Sequence, residues 1–134
     1  MTDIENIIIN RIDNVLSQAG YKDILGSTYQ DLPATFPWVF FEQIDTYENP
    51  TYHKSSRANN YDTVTFEADI YSNKKTKSKE ECKKILALID DEMVSLGFER
   101  IAAQPMRPTS EMYKARIVAR YRGTVDSNKY IYHT

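Results

Sequence analysis

YDTVTFEADIY, residues 61–71, alternates apolar and polar side chains without a break. Val64, Phe66, Ala68 and Ile70 fall on one side of the run, and Thr63, Thr65, Glu67 and Asp69 on the other. A sustained period of two is the signature of a strand with one face buried and one face turned outward. Strands of that kind belong to antiparallel sheets, and something must cover the apolar side.

Two amphipathic helices are available to do so. At the N-terminus, Ile4, Ile7, Ile8, Ile12, Val15, Leu16 and Ala19 recur at helical spacing, with Ile9 off the stripe and Gly20 placed to end the helix. Thr2 and Glu5 have the spacing of a capping box. After a lysine-rich turn, NKKTK (73–77), Ser78 and Glu81 repeat that spacing. Cys82, Ile85, Leu86, Ile89, Met93 and Leu96 then form the second stripe, closed by Gly97.

More strands flank these elements. In FPWVFFEQI (36–44), Phe36, Trp38, Phe40 and Ile44 point one way and Val39 and Phe41 the other, so both faces require cover, from this domain or a neighbour. Residues 21–35 read as a connection. NPTYHKSSRANN (49–60) has no period of either kind and reads as a long mobile loop. Residues 98–104 read as a short strand ended by the prolines of PMRP. Residues 112–125 form a long alternating strand. Tyr113, Ala115, Ile117, Ala119 and Tyr121 are its apolar face; Lys114, Arg116, Arg120 and Arg122 lie on the other. A turn at 126–128 leads to a last short strand, 130–132. The expected order is α-β-β-α-β-β-β. This is a single α+β domain over 1–134, an antiparallel β-sheet with two α-helices packed on one face.

Composition narrows the function. Hydrophobic residues are 41% and charged residues 27%, and the net charge is −2, which gives no global attraction to nucleic acid or anionic membrane. No apolar run is long enough to span a bilayer, and MTDIENIIINR lacks the features of a secretory signal. A cytosolic protein is expected. Ten tyrosines against one tryptophan hint weakly at contact surfaces.

The chemistry-bearing residues are sparse. The two histidines are His53, in the polar loop, and His133, beside the last residue; zinc needs a denser set. Cys82, the one cysteine, lies on an apolar stripe, where it reads as a small core residue rather than a nucleophile. Asp90, Asp91 and Glu92 read as a solvated helix face, and four scattered glycines build no phosphate loop. No catalytic site, cofactor or metal is expected. The basic row fits three roles: pairing with the outward Glu67 and Asp69, pairing with acidic residues of an adjacent subunit, or tracking phosphates in a nucleic-acid-binding accessory domain. Likewise the polar loop is either a solvated connection or a segment that orders on a partner through Tyr52, His53, Lys54 and Arg57.

DDEMVSLGFER (90–100), QPMRP (104–108) and the closing MYKARIVARYRGTVDSNKYIYH (112–133), in this element order and chain length, together resemble the small tail-terminator (tail completion) proteins of tailed bacteriophages and prophage elements. The resemblance covers most of the chain from Phe36 onward, and is one of architecture and texture rather than of a diagnostic motif. It implies a structural virion protein, without catalysis or cofactor. Such a protein forms a ring of its own copies, usually a hexamer, that caps the tail tube and joins tail to head. The implied partners are other copies, the tail tube protein and the head–tail connector, with transient contact to DNA passing through the lumen and none to membrane. The implied location is the bacterial host cytoplasm during assembly, then the virion tail or a tail-like particle. The implied interface includes Trp38 and Phe41 of the two-faced strand, the 49–60 loop, and the basic row. A head-completion or connector protein of the phage neck is the close alternative.

Overall fold

The computed structural model describes residues 4–27, 33, 35–48, 61–126 and 131. Its elements are α1 (Glu5–Gln18), β1 (Leu25–Gly26), β2 (Trp38–Glu48), β3 (Tyr61–Ser72), α2 (Ser78–Ser95), β4 (Glu99–Met106) and β5 (Ala115–Asp126). The strands form one sheet in the order β1-β2-β3-β5-β4. Pairing is antiparallel for β2–β3, β3–β5 and β4–β5, and parallel for β1 on β2. The fold is therefore α+β as expected, with a sheet that is mixed rather than wholly antiparallel. The parallel pair comes from a two-residue strand inside the stretch that reads as a connection, too short to carry any period.

β3 lies at the centre of the sheet. Its inward Val64, Phe66, Ala68 and Ile70 are fully buried beneath both helices, in one core with Val39 and Phe41 of β2 and Ala115, Ile117, Ala119, Tyr121 and Val125 of β5. α1 contributes Ile4, Ile8, Ile12 and Leu16, and α2 contributes Cys82, Ile85, Ile89 and Met93. Each large aliphatic or aromatic side chain buried in this way adds about 1.5–3 kcal/mol. The α1 stripe is displaced from the expected one: Ile9 packs against the core, whereas Ile7 is 51% exposed.

Both helices end on glycine in a Schellman motif. Gly20 (φ 97°) lets Tyr21 N–H donate to Leu16 O, and Gly97 (φ 100°) lets Phe98 N–H donate to Met93 O. The capping box expected from Ser78 and Glu81 at the start of α2 does not form. Thr2 lies outside the described residues, and Glu5 accepts the Gln43 backbone N–H at 2.8 Å while Gln43 Oε1 accepts the Ile4 N–H at 3.2 Å. Lys77, in a left-handed conformation, precedes α2. Glu81 turns away to accept from Ser72 Oγ at 2.6 Å and to pair with Lys74 at 3.2 Å. Both glutamates thus fasten a helix to the sheet.

The two ends of the sheet differ. Along β2, Val39 N–H donates to Ile24 O and Gln43 N–H to Glu5, so the stretch from Val39 to Gln43 is covered. Among the described residues β4 pairs with β5 on one side only, and all eight of its residues are exposed. It continues through Pro105 to Met106, beyond the expected end, because an edge strand tolerates the missing N–H of proline. A bulge interrupts its register between Arg100 and Ala102. Of the expected last strand, 130–132, only Ile131 is among the described residues, and it bridges to Val125; the 49–60 loop, with Tyr52, His53, Lys54 and Arg57, lies outside the described residues.

Candidate interface on the outer sheet face and the β4 edge

Opposite the helices, the sheet presents Phe40 and Glu42 from β2, then Thr63, Thr65, Glu67, Asp69 and Tyr71 from β3. β5 adds Arg116, Val118, Arg120 and Arg122. Period two puts the basic row here, and register decides what it meets. Arg116 lies directly across from Tyr71 and reaches diagonally to Asp69, donating from Nε and Nη2 at 2.8 Å each. The Asp69 side chain is only 3% exposed and that of Arg116 19%. Tyr71 completes the unit: its hydroxyl donates to Asp69 Oδ2 at 3.1 Å, and the guanidinium lies 5.1 Å from its ring centroid. Hydrogen bonding to Asp69 holds the Arg116 guanidinium above its already high range.

Arg120 donates to Glu67 at 2.9 Å on a more exposed part of the face. Pairing with outward acids is thus what the structure realises for Arg116 and Arg120. Lys114 and Arg122 are exposed, and neither forms an ion pair among the described residues, although Arg122 stands opposite Glu99.

Glu42 and Glu67 are direct cross-strand neighbours, with Glu5 close by. Burial, reinforced by those two carboxylates, raises the Glu42 carboxyl above its ordinary value. The folded chain therefore holds this proton more tightly than the unfolded chain. Stability from this group is present at low pH and lost as pH rises from the unfolded value of about 4.3 through the folded one. Glu42→Gln is expected to raise the urea midpoint near pH 7. The gain should vanish at about pH 4 and below, where both forms are neutral. An equal gain at both pH values would show that charge is not the cause.

The apolar outer side of β2 is covered from within the chain. Phe40, Tyr71 and Tyr113 form a second, smaller buried cluster, flanked by Phe36 and Trp38. Their rings meet edge to face, Phe40 to Tyr71 at 5.9 Å and Tyr71 to Tyr113 at 4.9 Å. Tyr113 corrects its expected place: β5 begins at Ala115, and the preceding turn swings this ring to the outer face, where Thr109 N–H donates to its hydroxyl at 3.0 Å.

The interface residues suggested by the sequence therefore divide. Phe41 is fully buried in the main core, stacked on Phe66 at 5.3 Å, and has no surface to offer a neighbour. Trp38 is half-buried against Gly26, where an added Cβ would come within 2.7 Å of its Cζ2. Arg116 is committed internally, Arg120 partly so, and Lys114 and Arg122 remain open. The strand expected at 98–104 is β4, whose edge carries Ile101 at 42% and Met106 at 37% exposure.

Among the described residues, no three His, Cys, Asp or Glu side chains gather as a metal site, and no helix is long and apolar enough to cross a membrane. Cys82 is fully buried against Ile70 O, and burial pushes its thiol up to about 12, far from nucleophilic character. Asp90 and Glu92 are engaged rather than merely solvated, with Arg100 at 3.4 Å and Arg11 at 3.2 Å. The chain matches no known family model and no curated protein sequence.

Proposed function

We propose that this chain is a non-catalytic structural protein that assembles with copies of itself into a ring. In the role implied by the resemblance to tail-terminator proteins, that ring caps a tail tube and joins tail to head. The observation that carries the reading is β4: an edge strand exposed along all eight residues, with Ile101 and Met106 on its surface and no strand on its outer side among the described residues. Natural proteins limit an edge of this kind with bulges and proline, as β4 does at Ile101 and Pro105, and the short regular stretch left between them, Ala102 to Gln104, suits a specific partner chain rather than open-ended pairing. The charged outer face supports the same reading, because its best-placed arginines already serve the fold and leave little for phosphates. The tube, the connector and the passing DNA follow from the resemblance.

The test is size-exclusion chromatography with light scattering over a concentration series, with negative-stain microscopy of the largest species. The wild-type chain is expected to form a concentration-dependent oligomer that images as rings. The Ile101→Asp/Ala103→Asp variant is expected to remain monomeric with an unchanged circular dichroism spectrum. A wild-type chain that stays monomeric throughout, alone and with tail tube protein, would overturn the reading.

A further inference from the structure

A cleft of about 220 Å³ opens where the first turns of α2, the end of β4 and the start of β5 converge. Lys79 and Lys83 of α2 line one wall, and Lys114, just before β5, lines the other. All three are exposed, and none pairs with a carboxylate among the described residues. The lining contains no acidic residue, although the chain as a whole carries a net charge of −2. Its floor is apolar, built by Pro105, Met106 and Pro108 over the buried Ile117. Arg116 also lines it, with its guanidinium fork held by Asp69.

We infer that this cleft docks an extended acidic segment of a partner protein, placing carboxylates on the three ammonium groups and an apolar side chain on the proline–methionine floor. Charge complementarity selects the occupant: three ammonium groups without a carboxylate partner among the described residues line one cleft, and the ligand that matches them is acidic. The floor selects polypeptide over nucleic acid. It offers surface for an aliphatic side chain and, along its lining, no aromatic ring on which a base could stack. The cleft sits at the Met106 end of the open β4 edge, so a segment leaving it can continue alongside that strand. This inference does not depend on ring formation.

The experiment is fluorescence anisotropy with a labelled peptide of alternating aspartate and leucine. The controls are the same peptide with asparagine in place of aspartate and a single-stranded DNA oligonucleotide. The aspartate peptide is expected to bind saturably, more weakly as salt is added, and about tenfold more weakly to Lys83→Glu/Lys114→Glu. Both controls should bind less well than the aspartate peptide. Lys83→Gln/Lys114→Gln, which removes charge without reversing it, should fall between wild type and the reversed variant, so a folding defect in the latter does not decide the outcome. No saturable binding, equal affinity in both variants, or tighter binding of the DNA than of the peptide would each overturn the inference.

Discussion

Asp69→Ala is expected to lower stability by about 3–5 kcal/mol, measured as a fall in the urea midpoint with an unchanged slope. Asp69 is one of the least exposed charged groups described and accepts three hydrogen bonds, two from Arg116 and one from the Tyr71 hydroxyl. Removing it strands a guanidinium whose side chain is only 19% exposed, and leaves the phenol without its acceptor. The cost comes from leaving a desolvated charge unpaired, more than from losing the attraction itself. Asp69→Leu combined with Arg116→Met should therefore recover much of the loss, since neither charge then remains. A loss below about 1 kcal/mol for the single variant would reduce the pair to an ordinary surface ion pair.

The second large effect comes from the smallest residue in β5. A Cβ built on Gly123 would lie 2.6 Å from Phe98 Cδ1 and 2.7 Å from Cε1. Phe98 is 3% exposed and stands edge-on to Phe66 at 5.6 Å, so its ring cannot retreat without disturbing the centre of the core. Gly123→Ala should cost about 1–3 kcal/mol, the usual range for overpacking. Phe98→Leu in the same chain should give part of it back, because a smaller, more adaptable side chain makes room. Calorimetric melting of the single and double variants measures both. If the double variant is destabilised by the full sum of the two single changes, the steric account fails.

Much of the fold was legible because β3 alternates apolar and polar residues without a break, although its outward row is not open to solvent: Thr63, Thr65, Asp69 and Tyr71 are buried too. The helix stripes and the glycines that end them were equally plain, since periodicity and chain reversal are local properties. The errors arose where a local pattern was put to a tertiary use. Ser78 and Glu81 have capping-box spacing, yet Glu81 binds Ser72 and Lys74. Tyr113 has the parity of the inner face and lies on the outer one, because parity holds only once the strand has begun at Ala115. Phe41 was read as contact surface because a strand apolar on both sides does not reveal that its own domain covers both.

The charged outer face was half legible. Basic and acidic rows on one sheet face announce pairing, but only register shows that Arg116 sits across from Tyr71 and reaches diagonally to Asp69. The lysine cleft was not legible at all. Lys79 and Lys83 meet Lys114 across more than thirty positions of sequence, with no period joining them.

The bulge at Ile101 and the proline at 105 set a limit on β4. They bracket Ala102, Ala103 and Gln104, so an incoming strand finds a regular backbone ladder over those three residues and an interrupted one on either side. An edge so abbreviated cannot template a fibril, in which every residue of a flat strand must repeat the pairing of the one before. Affinity must then come chiefly from side chains of matching shape, which few neighbours possess. The interruptions in β4 thus act as a filter on partners, admitting finite association and discouraging indefinite growth.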